Sequence, residues 1–279
     1  MADTAVQTQY RQEFIAGFEV RESFLRASVT TEAVIKGNTA TFLVADSGGA
    51  SAVTRGVNGL IPARADNLTQ SSATLAEWHD LRRTTDFNIF SSQGNQRQIM
   101  QMTTMAVINR KVDADIIAIL DTGTVDTGVA STASLALIAK AKAILGIAAV
   151  PTTEMDNMFA AVTPGFMAYL MQIPEFTSAD YVDVKPLSGP TRTMLRWFGV
   201  NFIEHPNLTG VGTTTELCYM YHRSAIGHAV DVANIQSLIG HHDEQGYSWA
   251  RCSVNMGSVL LQNSGIVQMK HDGSAYVGT

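Results

Sequence analysis

A glycine-rich stretch between two strand-like segments constrains the fold of this chain more than any other feature. Residues 39–45 read TATFLVA, which is typical of a strand, and residues 73–87 read ATLAEWHDLRRTTDF, which alternates in polarity. Glycines at positions 48, 49, 56 and 59 lie between them, and we predict a long two-stranded excursion with a flexible tip carrying Arg55 and Arg64. Such a hairpin cannot bury its own faces and would expose unpaired strand edges in a monomer. We therefore expect the hairpin to lie on a surface outside itself, which covers its faces and edges.

The start of this glycine-rich stretch contains Asp46-Ser47-Gly48-Gly49, a sequence found around the nucleophilic serine of chymotrypsin-like proteases. In those enzymes the order along the chain is His, Asp, Ser, and the serine lies late in the second barrel. Here the first histidine is His79, downstream of Ser47, and too little chain precedes the motif for a first barrel. We interpret the motif as an exposed turn in which the glycines adopt positive φ and Asp46 and Ser47 bond their own backbone.

Two helices are predicted in the first half of the chain. Residues 7–27 place Tyr10, Phe14 and Phe18 on one helical stripe, which packs either on its own core or on a partner. Residues 91–120 form the strongest helical pattern, capped by Ser91 or Ser92 and about 40 Å long. We expect its stripe to be core, and Asp113 and Asp115 to lie on solvated faces without forming a paired-carboxylate site. The stripe consists of Met102, Met105, Ile108, Val112, Ile116 and Ile119.

The second half of the chain alternates strands and helices, which favours a compact α/β layer over residues 155–232. The predicted elements are a buried helix over 131–146 with Gly146 as its left-handed cap, a strand leading into a helix at Pro164, a strand ended by Pro206, and a strand followed by a helix over 216–230. Short strands are expected around 259–261 and 265–269.

Charge and cysteine content exclude several classes of function. The net charge is −6, and the 19 basic residues are scattered, so no footprint for tight nucleic-acid binding is present. The two cysteines, Cys218 and Cys252, lie in apolar or mixed runs and are predicted to be buried free thiols, as expected for folding in a reducing cytosol. Residues 1–20 lack the pattern of a signal peptide, and no apolar run is long enough to span a bilayer, so we expect no membrane association.

The sequence contains no convincing cluster of catalytic or metal-ligating residues. His241-His242-Asp243-Glu244 is the densest set of metal-ligand types, but adjacent side chains diverge and a zinc site needs about four convergent ligands, so a polar loop is predicted. His222 and His228 are interpreted as structural, and Asp156, Asp180 and Asp183 have no histidine or lysine at useful spacing. The sequence therefore predicts no catalytic residue, no cofactor-binding residue and no metal ligand, and a protein that is not an enzyme.

In chain order the sequence predicts an N-terminal aromatic arm, a long hairpin, a long helix, a buried helix, a compact α/β region and a final pair of strands. This order of elements resembles the major capsid proteins of tailed bacteriophages, which have the HK97-like fold. KGNTATFLVADSGG through ARADNL resembles the extended loop of that family, and NQRQIMQMTTMAVINRKVDADIIAIL resembles its spine helix. MFAAVTPGFMAYLMQIPEFTSADYV, WFGVNFIEHPNLTG and YMYHRSAIGHAV resemble axial-domain elements.

The resemblance implies an α+β chain in five segments. These are an N-terminal arm (1–33), an extended β-hairpin loop (34–85), a peripheral domain with the spine helix (86–155), an axial domain (156–247) and a C-terminal return to the peripheral domain (248–279).

The resemblance also implies a function. Hexamers and pentamers would form the icosahedral head shell around double-stranded DNA, without sequence-specific binding to it, in a virion assembled in the host bacterial cytoplasm. Phe14 and Phe18 of the arm would be covered by neighbouring subunits. Few residues precede the arm, so we expect a separate scaffolding protein or prior cleavage, together with a portal, and a decoration or cement protein remains open.

The way the subunits are joined, and the alternatives to this function, follow from particular residues. Some family members weld subunits through a lysine in the extended loop, but this chain has no lysine between Lys36 and Lys111, so we expect non-covalent contacts. The alternatives are an encapsulin-type compartment with enzyme cargo, and a hydrolase using Ser47 or a metal at His241.

Overall fold

The computed structural model describes residues 22–31, 34–47, 49–63, 67–91, 96–177, 194–231 and 236–276. Among these residues the chain divides into two compact units. The first contains Ala76–Asp113 and Val230–Met256, and the second contains Phe24–Leu75, Ala114–Ala229 and Gly257 onward.

The described strands are β1 (Val34–Lys36), β2 (Thr39–Asp46), β3 (Asn67–Thr74), β4 (Ala76–Thr85), β5 (Met158–Val162), β6 (Met194–Trp197), β7 (Val200–Glu204), β8 (Glu216–His222), β9 (Ile226–Val230), β10 (Gln236–His242), β11 (Tyr247–Leu260) and β12 (Ile266–His271). The described α-helices are α1 (Asp86–Ser91), α2 (Gln96–Leu120), α3 (Leu135–Ile147), α4 (Pro164–Leu170) and α5 (Pro174–Thr177). Within the described ranges, no helix is long and apolar enough to cross a membrane.

In the first unit, β11 lies between β10 and β4 in an antiparallel sheet. This pairing corrects the prediction that residues 73–87 form the second limb of the long hairpin. The partner of β2 is β3, and the chain then breaks at Leu75, so that β4 pairs with β11 from Ala76↔Met256 to Thr85↔Tyr247. Residues 76–85 do form a strand, but it belongs to a different sheet, and its burial does not alternate, since Trp78 and Leu81 are both exposed.

The long helix α2 is confirmed, with 25 residues; Ile108, Val112 and Ile116 of the predicted stripe are buried, but its two methionines are not. Met102 and Met105 are exposed by 45% and 47%, whereas Met100 is fully buried and its Sδ accepts a hydrogen bond of 3.1 Å from Thr84 Oγ1. The buried positions recur in four-residue steps from Met100 through Thr104 and Ile108 to Val112, and the two exposed methionines lie beside that row. The predicted cap is also wrong in part, since Ser91 ends α1; Ser92 lies outside the described residues.

Two further corrections concern the ends of predicted helices. Asp113 is buried and accepts a 2.6 Å hydrogen bond from Ser23 Oγ, so this aspartate does not lie on a solvated face. The predicted helix over 7–27 does not extend to its proposed end, because Arg26–Ser28 is a 3₁₀ turn. Tyr10, Phe14 and Phe18 lie outside the described residues.

The second unit contains a five-stranded mixed sheet in the order β12-β8-β5-β7-β6, in which β5 and β7 are parallel. Its core includes Phe166, Phe202, Met220 and Met269. The predicted transition from strand to helix at Pro164 is confirmed: Thr163 Oγ1 caps α4 by accepting from the Phe166 N–H at 3.2 Å, and Pro164 occupies the first turn.

Three local predictions in this unit are wrong. The strand ended by Pro206 is a hairpin, β6 and β7, whose turn uses positive φ at Phe198 and Gly199 (53° and 72°). The helix predicted after β8 is strand β9. Gly146 lies inside α3, and the left-handed residue is Ala149, with φ 58°. The bonds from Val150 N to Leu145 O and from Ala149 N to Gly146 O, both 3.1 Å, make this helix end a Schellman motif.

Candidate assembly surface

The base of the β2–β3 hairpin packs against the rest of the second unit, to which the hairpin belongs. Strands β2 and β3 pair from Thr39↔Thr74 to Asp46↔Asn67. Ala40, Phe42 and Ala73 are buried in a small cluster with Ala229. The Phe42 ring lies against Gly227, where an added Cβ would be only 2.7 Å from a ring carbon. The absence of a side chain at residue 227 therefore allows the hairpin base to pack closely.

The outer half of the same hairpin is exposed. Leu43 and Leu68 are 75% and 70% exposed, and the register places both side chains on one face, because Ala45 lies opposite Leu68 and Leu43 is two residues from Ala45. Asp46 Oδ1 accepts a 2.8 Å hydrogen bond from Asn67 Nδ2, which closes the ladder. A strand pair that is anchored at one end and apolar at the other exposes surface that another molecule can cover.

The hairpin tip, defined here as residues 49–63, consists entirely of exposed residues. Its exposed large apolar side chains are Val53, Val57, Leu60 and Ile61. Two turns organise it: Gly59 donates to the Gly56 carbonyl at 2.8 Å, and Gly56 donates to the Leu60 carbonyl at 3.0 Å. Arg55 carries the only charge of the tip, and its Nη1 donates to the Gly59 carbonyl at 3.3 Å. Arg64 lies outside the described residues.

The Ser47 motif forms a turn, as predicted. Ser47 is exposed, its carbonyl accepts from the Ala50 N–H at 3.1 Å, and Gly49 has φ 71°. Gly48 lies outside the described residues. The positive φ at Gly49 explains why glycine is needed there.

A second exposed apolar surface lies in the first unit, and the sequence reasoning missed it. Phe87 and Phe90 of α1 are 75% and 88% exposed and stand three residues apart on one helix face. Asp86, which begins α1, donates its N–H to Gly246 O at 3.1 Å, which holds the helix against the turn containing Asp243 and Glu244. We name Asp86, Phe87, Phe90, Asp243 and Glu244 the acidic aromatic patch. The spacing of the two phenylalanines after an aspartate could have indicated this helix.

The His241-His242-Asp243-Glu244 cluster contributes to this patch. His241 and His242 end strand β10, and Asp243 and Glu244 form the following turn, so only the second half of the cluster is the predicted loop. His241 lies between two carboxylates, 3.5 Å from Asp86 and 3.3 Å from Asp243, and His242 stacks on Tyr247. Among the residues that the structure describes, no three His, Cys, Asp or Glu side chains are arranged to hold a metal ion.

The remaining histidines and aspartates take part in structural contacts. Ser258 Oγ donates to Asp115 at 2.6 Å and lies 2.7 Å from His228 Nδ1. Because a serine hydroxyl has one proton, His228 must donate to Ser258, which is the reverse of the polarity in a catalytic triad. His222 accepts from the Ser224 N–H at 3.3 Å, and Asp156 pairs with Arg196 at 2.6 Å. Asp180 and Asp183 lie outside the described residues.

Both cysteines are buried free thiols, which confirms the prediction. Burial raises the pKa of the Cys218 thiol to about 12. Desolvation also raises the pKa of Cys252, and the nearby Asp80 charge adds to the effect. Neither thiol is therefore suited to act as a nucleophile near neutral pH.

The family model and the solved structures that match this chain point to the same kind of protein. A family model described as phage capsid protein matches residues 2–273. Among solved structures, "Mycobacterium phage Che8" is 18% identical with a TM-score of 0.73, covering 96% of this chain and 98% of that chain. "Cyanophage Pam1 capsid asymmetric unit" is 13% identical with a TM-score of 0.75, covering 98% of each chain. "Capsid of Ralstonia phage GP4" is 12% identical with a TM-score of 0.68, covering 99% of this chain and 98% of that one. No curated protein matches the chain significantly.

Proposed function

The chain belongs to the phage capsid protein family, and we propose that it assembles into hexamers and pentamers of an icosahedral head that encloses double-stranded DNA. The resemblance to tailed-phage major capsid proteins and the HK97-like α+β fold are confirmed. The protein is therefore a structural component of the virion capsid. The ring sizes, the enclosed DNA and the further partners below are our proposal.

The observation that carries the proposal is the division of the β2–β3 hairpin into a packed base and an exposed outer half. On the face of β2 that carries Ala40 and Phe42, burial ends at Phe42, since Val44 is half-buried and Asp46 exposed; on the opposite face Thr41 is half-buried and Leu43 is 75% exposed. Exposure continues through the hairpin tip and back along β3 to Leu68. An exposed apolar ribbon of this length is a liability in a monomer, but in a shell it becomes contact area between subunits.

The energetics favour assembly by surface burial alone. Obligate interfaces bury about 2,000 Å² or more, and apolar burial contributes roughly 25 cal/mol per Å². The free energy gained by burying an apolar interface of that size exceeds the free-energy cost of association, which is about 4–15 kcal/mol. No lysine occurs between Lys36 and Lys111, so the extended loop cannot supply a lysine for a covalent bond. We infer a shell joined by non-covalent contacts.

The packaged genome and the remaining partners follow from charge and family membership. A net charge of −6 suits a container that does not grip DNA phosphates, so the shell encloses DNA without sequence-specific contacts. Assembly takes place in the host cytoplasm with a separate scaffolding protein and a portal, and the presence of a decoration or cement protein is left open. The division into arm (1–33), extended loop (34–85), peripheral domain (86–155), axial domain (156–247) and C-terminal return (248–279) is part of this proposal.

Electron microscopy of the protein expressed with its phage scaffolding partner tests the proposal. We expect closed polyhedral particles with five-fold and six-fold rings, and DNA inside particles from infected cells. Particles filled with an enzyme instead of a genome would identify an encapsulin-type compartment. A stable monomer whose hydrolytic activity disappears on Ser47→Ala would overturn the capsid proposal.

A further inference from the structure

We propose that Asn58, in the hairpin tip, is a site of spontaneous modification, at which the side-chain amide is lost and aspartate or isoaspartate is formed. Asn58-Gly59 is the only Asn-Gly pair in the sequence. Glycine favours this reaction because it has no side chain to shield its backbone nitrogen from the preceding asparagine. The reaction occurs within one subunit, and only its restriction to unassembled copies rests on the proposed self-assembly.

The reaction needs only water and groups of the chain itself. The Gly59 backbone nitrogen, after losing its proton, attacks the side-chain carbonyl carbon of Asn58, Cγ, which lies in the adjacent residue. The bond between this nitrogen and Cγ forms, the bond between Cγ and Nδ2 breaks, and the amide nitrogen leaves as ammonia with the released proton. Water then opens the five-membered succinimide at either of its carbonyls, which gives aspartate or isoaspartate. Both products carry a carboxylate where the neutral amide was.

The structure leaves Asn58 open to this reaction. Every residue from 49 to 63 is exposed, and the described residues make no hydrogen bond to the Asn58 side chain. One bond opposes the attack, since the Gly59 N–H donates to the Gly56 carbonyl at 2.8 Å. Because this bond closes an exposed four-residue turn, it opens far more easily than a bond within a sheet or a packed core.

A second pair that contains glycine shows why the exposed turn matters. Asp272-Gly273 is the only Asp-Gly pair in the sequence, and an aspartate at such a position forms the same succinimide with loss of water. Gly273 is buried, however, and its N–H donates to the Thr213 carbonyl at 3.1 Å. The Asp272 carboxylate accepts from the Ser274 N–H at 3.2 Å and from the Ser274 hydroxyl at 2.7 Å. Sequence alone would select both pairs, whereas the structure selects Asn58.

The modification changes both the charge and the backbone of the tip. Arg55 carries the only charge of the tip, so a carboxylate at residue 58 makes the tip neutral overall. Isoaspartate also adds a methylene group to the main chain within the turn that joins Gly56 to Gly59. In the proposed shell a neighbouring subunit covers the hairpin, which keeps this turn closed. The modification therefore accumulates on unassembled copies.

Peptide mapping by mass spectrometry of the unassembled subunit, incubated at pH 8, tests the site. Asn263 is the matched control: it precedes a small residue, Ser264, but its Oδ1 accepts from the Thr124 N–H at 3.0 Å and its Nδ2 donates to Thr124 Oγ1 at 2.7 Å. We expect Asn58 to give two separately eluting products at least about tenfold faster than Asn263 reacts, because Asn263 must first break these bonds. The rate at Asn58 should rise several-fold from pH 7 to pH 8, since the Gly59 nitrogen must lose its proton.

Two further arms identify the site and the role of the fold. Asn58→Gln should abolish the signal, because glutamine would have to close a less favourable six-membered ring. Asp272 should stay unchanged in the native protein and isomerise in guanidinium chloride, where Gly273 is no longer held. Conversion of Asn58 in denaturant only would show that the turn holds the Gly59 nitrogen, and would overturn the inference. Equal rates at Asn58 and Asn263 in the native protein would also overturn it.

Particles and unassembled subunits incubated side by side test the restriction to unassembled copies. We expect modified Asn58 to be about fivefold or more scarcer in particles, because the covered turn opens less often. Equal modification in both samples would overturn the restriction and leave the proposed function intact. Failure of the chain to form particles would remove the proposed function, while the measurement on the subunit still decides whether Asn58 is the site.

Discussion

The aromatic ring of Phe42 occupies the space that a side chain at Gly227 would need, since a Cβ on Gly227 would stand 2.7 Å from the Phe42 Cζ atom. Phe42 belongs to β2 and Gly227 to β9, so this contact joins the hairpin base to the rest of the second unit. Further along the same face of β2, Val44 is half-buried and Asp46 is exposed. The contact therefore marks where the packed core ends and the exposed part of the hairpin begins.

Gly227→Ala should destabilise the protein by about 1–3 kcal/mol, because the added methyl group must push the Phe42 ring out of its packed position. Gly56→Ala is the matched control, since its Cβ would meet only the Leu60 carbonyl oxygen at an ordinary 3.6 Å. Chemical denaturation of the unassembled subunit measures both changes. Equal stability of the two variants would show that the Phe42 contact does not hold the hairpin base.

Ala149→Gly should stabilise the subunit by about 0.5–1 kcal/mol, because alanine at φ 58° is strained where glycine is not. Gly146→Ala should stabilise it by a similar amount, since Gly146 lies inside α3 with open space around the new methyl group. Thermal unfolding of each variant gives the comparison. A lower melting temperature for Ala149→Gly would contradict the assignment of the helix end.

The end of α3 shows what the sequence can and cannot predict. A helix with a left-handed cap followed by Pro151 was predicted, but Gly146 was the obvious candidate for the cap and Ala149 was not. The choice depends on where α3 stops, and α3 continues past Gly146 to Ile147. The start of α4 depends only on the adjacent residues Thr163 and Pro164, and its predicted position is confirmed.

Glu216→Ala should cost about 3 kcal/mol, because it leaves buried donors without an acceptor. Glu216 is 1% exposed; its Oε2 accepts from the Gly212 N–H at 2.9 Å, and its Oε1 accepts from the Thr163 hydroxyl. Glu216→Gln keeps an acceptor and should cost less. Denaturant titration of both variants, with exposed Glu175→Ala as the control, tests this order. A loss below 1 kcal/mol for Glu216→Ala would contradict it.

Both native cysteines should resist alkylation at pH 8 in the folded protein and react in denaturant. Burial raises the pKa of Cys218 to about 12, so at pH 8 the thiol stays protonated and only a very small fraction is thiolate. Mass spectrometry after treatment with iodoacetamide counts the modified sites. Rapid labelling of Cys218 in native protein would show that the five-stranded sheet opens readily around it.

The sequence located the hairpin and the long helix but not the pairing of distant strands. Strand β9 was mistaken for a helix because Ile226–Ala229 are all buried, so the period of two that identifies half-buried strands is missing. The partner of β4 is β11, far along the chain, and no local pattern encodes that choice. The acidic aromatic patch was missed for the same reason: Asp86 and Asp243 come together only after β4, β10 and β11 form one sheet.

Reconstruction of the assembled particle by cryo-electron microscopy tests the central claim most directly. We predict that the outer half of every β2–β3 hairpin is covered by a neighbouring subunit. We also predict that the glycine turns near Gly49 and Gly59 differ between five-fold and six-fold positions. Hairpins that lie on their own subunit, or particles in which Leu43 and Leu68 remain exposed to solvent, would contradict the account.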